Sequence, residues 1–236
     1  MIEPGTQLET RGFGEELSYL EGDFFAHIAA HNVIKNIVEA EKSGFDAAVI
    51  GCALDPGLGE SRELVKMPVI GAGEACLHMA SMLTAGRISF LVGCRKHIPR
   101  LAEKARIYGF ESRIASWRVL DVGVAQMLRD REATNAAVHR EARAAVEEDG
   151  AEVVCLGCTG LVGQAMGLQE ELGVPVLDPV LIGIKMAEFQ ANLWRRFGIS
   201  HSKIGGYEPP PERQLCNAYN ASFGLVRKVV YHIKNR

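Results

Sequence analysis

With 236 residues, of which 47% are hydrophobic and 23% charged, the chain has the make-up of a globular protein with one large domain or two small ones. The net charge of −3 and the lack of a long basic stretch with interleaved aromatics argue against a nucleic-acid partner. The polar start and the absence of any apolar run near 18 residues predict neither a secretion signal nor a membrane-spanning helix. We therefore expect a cytoplasmic protein whose six cysteines are free thiols.

Helical patterns alternate with short apolar runs along the chain. The first helix is predicted over 24–42, with Gly44 as the stop signal beyond it. Its apolar face is predicted to consist of Phe24, Ile28, Ile34, Ile37 and Val38. Buried parallel strands are predicted at 47–51, 67–71, 88–93, 152–157 and 174–177. Further helices are predicted at 97–107 and 134–149, and a further strand near 113–119. This alternation indicates an α/β fold with parallel sheets.

The two halves of the chain are similar at an offset of about 106 residues. EKSGFDAAVIGCA (41–53) aligns with EEDGAEVVCLGCT (147–159), and the match continues through the next helix and strand. We therefore predict two Rossmann-like lobes with parallel sheets, related by pseudo-twofold symmetry, with the site between them. The first lobe would comprise residues 1–86 plus 189–236, and the second lobe residues 87–188.

The same repeat makes a prediction about the start of the first lobe. QLETRGF (7–13) is the counterpart of the strand near 113–119. The counterpart of the strand at 88–93 would fall before Met1, so we expect the first lobe to lack an opening strand. At the other end, AYNASFGLVRKVVYHIKNR (218–236) has the pattern of a basic amphipathic helix.

A Gly-Cys pair ends one predicted strand in each lobe, at Cys52 and at Cys158. Ligands of open parallel sheets bind outside the carboxyl ends of the strands. If the lobes face each other, the two thiols approach one cleft from opposite sides. One thiolate could then remove a proton from an acidic carbon while the opposite thiol delivers another. We predict Cys52 and Cys158 as this acid/base pair, with no metal and no cofactor.

Backbone groups around the strand ends are candidates for binding a small-molecule substrate. N–H groups just after each cysteine could hold a carbonyl or carboxylate oxygen as it gains negative charge. The predicted substrate-binding residues are Ala53, Leu54, Gly71, Gly93, Cys94, Thr159 and Gly160.

Two segments resemble a known family. GCALDPGLGESRELVKMPVIGAGEACLHMASML (51–83) and VVCLGCTGLVGQAMGLQEELGVPVLDPVLIGIKMAE (153–188) resemble the catalytic segments of the hydantoin and allantoin racemases. SKIGGYEPPP (202–211) is similar to the family's closing tail. The resemblance to this branch of the aspartate/glutamate racemase superfamily implies two lobes, a cofactor-independent two-cysteine mechanism and substrates with an acidified α-carbon. It also implies a homo-oligomer as a possible assembly.

The chain departs from the family at two substrate-binding segments. Members usually begin with a strand and an Asn-Pro-Asn-Thr-type loop, which this chain lacks. After the strand at 88–93 relatives commonly carry Thr-Thr, whereas Gly93 and Cys94 stand here.

Other functions stay open at this point. An arylmalonate-type decarboxylase or a maleate-type isomerase could use the same scaffold, as could a non-catalytic small-molecule-binding descendant. Cys155 and Cys158 also form a CxxC motif, but Cys155 lies inside an apolar run, which argues against a redox site. No second cysteine pair at ligand spacing accompanies it, which argues against zinc.

Overall fold

Strands and helices alternate through the computed structural model, which describes residues 2–12, 21–211 and 214–215. The strands are β1 (Ala48–Ile50), β2 (Val69–Gly71), β3 (Ile88–Val92), β4 (Ile114–Val119), β5 (Val153–Leu156) and β6 (Val176–Leu177). The helices are α1 (Asp23–Lys42), α2 (Leu58–Leu64), α3 (Ala72–Leu83), α4 (His97–Ile107), α5 (Val124–Arg129), α6 (Arg131–Glu147), α7 (Ala165–Leu172) and α8 (Pro179–Phe197).

The strands form two parallel sheets. β1 pairs with β2, so that Val49 lies opposite Ile70. The larger sheet has the strand order β4-β3-β5-β6, and Phe90 of β3 lies between Trp117 of β4 and Cys155 of β5. The prediction of an α/β fold with parallel sheets is confirmed.

The central strands of the larger sheet are buried on both faces. All five residues of β3 and all four of β5 are buried, which explains why their sequences are continuously apolar rather than alternating. One face packs against α3 and α4, and the opposite face packs against α6 and α7. β3 and β5 therefore form a fixed base from which their carboxyl-terminal loops project.

Helix α6 illustrates how local sequence sets an element's limits. Asp130 caps its start by accepting a hydrogen bond from the Ala133 N–H at 3.0 Å. Gly150 follows its end with a φ of 66°, a left-handed conformation that favours glycine. Val138 and Ala142 are fully buried on the face predicted from the sequence.

The prediction for α1 is correct for its extent but wrong for part of its apolar face. Ile37 and Val38 are buried against the first sheet. Phe24 and Ile28, however, are 71% and 40% exposed. The short two-stranded sheet reaches only the second half of this 20-residue helix. In the first half the small residues Ala26 and Ala29 are buried, whereas Phe24 and Ile28 lie outside that buried side.

The strand predicted at 7–13 is also wrong for the residues that the structure describes. Residues 7–12 are not in a strand. In the larger sheet the equivalent strand, β4, is held by pairing with β3. The described part of the first sheet consists of β1 and β2 and contains no counterpart of β3. A segment at 7–12 therefore has no neighbouring strand to pair with.

Helix α8 and the segment after it pack on the first sheet. α8 contacts α3, β1 and β2, and it runs without a break through the predicted lobe boundary at 188/189. Beyond it, residues 200–207, which we call the tail segment, lie along the free edge of β2. His201 Nε2 accepts a hydrogen bond from the Val69 N–H at 2.8 Å, and Arg62 Nε donates to the Val69 carbonyl at 3.1 Å.

Two expectations concern membranes and the end of the chain. No helix in the described residues is long and apolar enough to cross a membrane. The helix predicted at 218–236 lies outside the described residues. The division into lobes at 86/87 and 188/189 stays a prediction.

Candidate active site

Cysteines follow three strands in the same way. Cys52, Cys94 and Cys158 each lie two residues beyond the end of β1, β3 and β5, and a glycine fills the intervening position. All three thiols are half-buried, whereas Cys76 and Cys155 are buried in the core. Cys52 and Cys158 were predicted as an acid/base pair and Cys94 as a substrate contact, which stays a prediction.

The loops after β1 and β5 meet across the two sheets. Thr159 Oγ1 donates a hydrogen bond to the Gly51 carbonyl at 2.9 Å, which joins the residue after Cys158 to the residue before Cys52. Leu54, two residues after Cys52, packs against the core of the larger sheet. The Cys158 thiol is close enough to Cys52 for its charge to raise the pKa of Cys52. The structure thus brings the two predicted cysteines to one region.

Each of these thiols accepts a hydrogen bond from the N–H two residues later. The Leu54 N–H donates to Cys52, and the Gly160 N–H donates to Cys158 Sγ at 3.4 Å. Both bonds favour the thiolate and lower the thiol pKa. These N–H groups were predicted to hold a substrate oxygen, but here they face sulfur. Substrate contact by Ala53, Leu54, Thr159 and Gly160 stays a prediction.

A buried carboxylate ties each cysteine loop to a neighbouring helix. After Cys52, Asp55 accepts hydrogen bonds from the N–H groups of Gly73 and Glu74 at the start of α3, both at 2.9 Å. In the second half Asp178, at the start of α8, accepts from the Gly163 N–H at 2.8 Å. In the first half the loop therefore provides the carboxylate and the helix the N–H groups, whereas in the second half the helix start provides the carboxylate and the loop the N–H group. Burial raises the pKa of Asp55 to about 7, and the two N–H donors oppose that rise.

Three glycines give the backbone room to approach closely around these loops. A Cβ at Gly71 would lie 2.5 Å from the Asp55 carboxyl carbon, and one at Gly73 would lie 2.9 Å from the Ala53 carbonyl carbon. A Cβ at Gly93 would lie 2.6 Å from Met127 Cε. Gly71 and Gly93 were predicted to contact substrate. Each has a packing reason to be glycine, and substrate contact at these positions stays a prediction.

Burial dominates the protonation of both thiols. It raises the pKa of Cys52 to about 11, with Asp55 and Cys158 adding to the rise and Arg100 opposing it. Burial also raises the pKa of Cys158, and the charges of Glu21 and Cys94 add to that rise. A thiolate at either position makes ionisation of the other less favourable, so the two titrate as a coupled pair. The state with two thiolates is therefore disfavoured.

Three charged or titratable residues near the thiols were not found from the sequence. Glu21 accepts a hydrogen bond from the Val124 N–H at 2.8 Å and acts electrostatically on both Cys158 and His97. Burial lowers the pKa of His97, which lies at the start of α4. Arg100, one turn later on α4, acts on Cys52. The only sequence signal for His97 and Arg100 was a position on the helix that follows β3, and Glu21, just before α1, carried none.

Metal ligation and the CxxC motif were the other chemistries open to the acidic and cysteine side chains. Among the described residues, no group of three or more His, Cys, Asp or Glu side chains is placed to hold a metal ion. Cys155 of the CxxC motif lies inside β5 and is completely buried. Its thiol lies within hydrogen-bonding reach of Cys76, so Cys155 packs away from Cys158.

Comparison with known proteins places this chain in a family. A family model described as Asp/Glu/Hydantoin racemase matches residues 19–187. The chain belongs to this family. The sequence-based assignment to hydantoin and allantoin racemases is confirmed, and the chain is a racemase, an enzyme of the isomerase class.

Three relatives illustrate the similarity. The hydantoin racemase of Paenarthrobacter aurescens is 39% identical over 198 residues, which cover 83% of this chain and 81% of that protein. The hydantoin racemase of Pseudomonas sp. (strain NS671) is 36% identical over 199 residues, covering 84% and 78%. The structure of allantoin racemase from Klebsiella pneumoniae superposes on this racemase with a TM-score of 0.76 at 34% identity, covering 82% of this chain and 77% of that one.

Proposed function

We propose that this racemase inverts the chiral carbon of a 5-substituted hydantoin or a related small ring compound, with Cys52 and Cys158 as acid and base. The observation that carries the proposal is the meeting of two equivalent Gly-Cys strand ends across the Thr159–Gly51 hydrogen bond. Each thiol also has its own N–H donor, which favours its thiolate form. Relatives named hydantoin racemase and allantoin racemase support this substrate class.

The proposed reaction moves two protons and no other group. A thiolate at one cysteine takes the proton from the substrate carbon, and the electron pair of that C–H bond moves onto the adjacent carbonyl oxygen. The thiol of the other cysteine then donates its proton to the opposite face of the carbon, while the electron pair returns from oxygen to carbon. The two cysteines exchange protonation states in each turnover, so no cofactor or metal takes part.

The protonation of the pair suits this sequence. Inversion needs one base and one acid at the same time, and the coupling between the thiols disfavours the state with two thiolates. A thiolate with a raised pKa is also a stronger base than an ordinary one. Burial thus reduces the fraction of active enzyme at neutral pH, but it makes the rare thiolate more effective.

The wider setting follows from the same proposal. We propose two lobes around the shared cleft, divided as predicted from the repeat. The protein would work in the cytoplasm, with a small molecule as its only ligand and with copies of itself as a possible partner in a homo-oligomer.

The test is racemisation of one enantiomer of 5-benzylhydantoin, and separately of allantoin, followed by circular dichroism. In heavy water, proton NMR follows exchange at the chiral carbon. We expect enzyme-dependent loss of optical activity that is accompanied by deuterium incorporation, above the spontaneous rate measured without enzyme. Release of carbon dioxide from an arylmalonate, with no racemisation of either ring compound, would instead assign the decarboxylase alternative.

The rate should increase with pH in the alkaline range. Since burial raises both thiol pKa values, the thiolate needed as base is scarce below the ordinary thiol pKa of about 8.5. We expect kcat/KM to rise about tenfold per pH unit between pH 7 and 8.5, because each unit increases the thiolate fraction about tenfold. Initial rates in overlapping buffers measure this profile. A flat profile over that range would contradict a thiolate base.

A further inference from the structure

Arg100 acts electrostatically on Cys52 and has one donor group without a partner among the described residues. Its Nε is 3.0 Å from Asp23 Oδ1, and its side chain is 22% exposed. Its Nη1, on the other hand, is buried and has no hydrogen-bond partner in the described part of the chain. A buried donor on a charged group is costly to leave unsatisfied, so it is normally paired with a protein group, a water molecule or a ligand.

Arg100 lies in the first turn of α4, six residues after Cys94, one of the three strand-end cysteines. Its positive charge lowers the pKa of Cys52, and it also lowers the pKa of His97 one turn earlier on α4. The acidic groups acting on the same cluster are Glu21, Asp23 and Asp55. Of these, Asp23 binds the guanidinium on its Nε side. This contact engages the Nε side of the guanidinium and leaves Nη1 available.

We infer that Arg100 Nη1 binds the substrate oxygen that becomes negatively charged when the carbon loses its proton. This inference rests on the proposed function and extends it to a substrate-binding residue that the sequence analysis did not name. The N–H groups of Leu54 and Gly160 already donate to the sulfurs, which leaves the oxygen to other donors. A guanidinium is well suited to this role, because it is always protonated and forms strong hydrogen bonds to anionic oxygen.

The inference also defines a class of preferred substrates. A cation at the oxygen favours compounds whose carbonyl oxygen takes up full negative charge in the intermediate, or whose ring is already anionic. In the balanced reaction, the electron pair of the C–H bond rests on this oxygen, and Arg100 keeps its own proton throughout. Arg100 therefore stabilises the charge without becoming part of the proton path.

The test compares Arg100→Gln with Arg106→Gln. Arg106 lies on the same helix, is exposed and pairs with Glu103, so its variant controls for loss of an arginine from α4. We expect Arg100→Gln to lower kcat/KM for a 5-substituted hydantoin by about 100-fold, the typical effect of removing one oxyanion donor. We expect Arg106→Gln to stay within about twofold of wild type, the scale of a lost exposed ion pair.

Two readouts separate oxygen binding from a structural role. Millimolar guanidinium chloride should restore part of the activity of Arg100→Gln and leave wild type unchanged. The alkaline rise of kcat/KM should also move to higher pH in Arg100→Gln, since Cys52 loses a neighbouring cation. An activity loss with neither rescue nor a pH shift would overturn the inference, as would an Arg100→Gln enzyme with wild-type rates.

A binding measurement keeps this inference separate from the proposed function. 5,5-Dimethylhydantoin has the ring oxygens but no proton on the carbon that would be inverted, so it probes the oxygen site without turnover. We expect calorimetry to give at least about tenfold weaker binding to Arg100→Gln than to wild type. If wild type racemises hydantoins and this probe binds both proteins equally, Arg100 is not the oxygen ligand. If wild type binds the probe in an Arg100-dependent way without racemising hydantoins, only the proposed reaction fails.

Discussion

Replacing either Cys52 or Cys158 by serine is expected to lower racemisation by about 10³-fold, in the range of general acid–base catalysis. Serine has nearly the size of cysteine, but its hydroxyl is far too weak an acid to supply an anionic base near neutral pH. The measurement is the rate of loss of optical activity for purified variants. Cys76→Ala is the matched control, because this thiol is buried in the core beside Cys155.

The two serine variants should also differ from each other in the enantiomer whose proton they exchange. Each keeps one thiol, which can still remove and return a proton on its own face of the carbon. In heavy water, Cys52→Ser should therefore exchange the proton of one enantiomer, and Cys158→Ser that of the other, both with retention of configuration. Wild-type inversion in both variants would exclude the two-cysteine mechanism. Exchange of the same enantiomer by both would exclude opposite positions for the thiols.

Gly73→Ala is expected to have the largest effect on stability, lowering the free energy of unfolding by about 3 kcal/mol. Its Cβ would overlap the Ala53 carbonyl group and lie 3.1 Å from Asp55 Oδ2. The Ala53 carbonyl is part of the backbone and the Asp55 carboxylate is buried, so neither can move away without a cost in free energy. Urea unfolding followed by circular dichroism measures the change.

A second glycine provides the control for this variant. Gly167 lies within α7, and a Cβ there would meet nothing within 4 Å. Alanine has the higher helix propensity, so Gly167→Ala should be neutral or stabilise by up to about 1 kcal/mol. If Gly73→Ala unfolds at the same urea concentration as wild type, the loop after Cys52 is less tightly held than its contacts indicate.

The sequence was most informative where one local pattern dominates. The helix predicted at 97–107 has those bounds in the structure, and the buried strands of the larger sheet were found because their runs are short and wholly apolar. The repeat led to both cysteines at once, since it compares positions along the chain rather than contacts in space. The choice of Cys52 and Cys158 as a pair came from that comparison and from the family resemblance.

Predictions that depend on distant neighbours were less successful. Phe24 lies on a helical apolar face by sequence, but whether a core lies beneath it depends on the width of the sheet. Arg100 carries no motif, and its place near Cys52 arises from the packing of α4 near the start of α1. Asp55 lies in the loop after Cys52 and Asp178 lies at the start of α8, yet both link a cysteine loop to a helix start. Because the two aspartates stand at different positions in the repeat, an alignment of the halves does not reveal this relation.

The tail segment and Arg62 of α2 together supply what a third strand would give the first sheet. The outward N–H and carbonyl of Val69 are bound by His201 and Arg62, and Lys203 Nζ donates to the Val65 carbonyl at 2.6 Å. An open edge of this kind can recruit a strand from another molecule, which is a route to aggregation. Side chains rather than backbone close it here, so the two described strands can hold the Cys52 loop without exposing that edge to other chains.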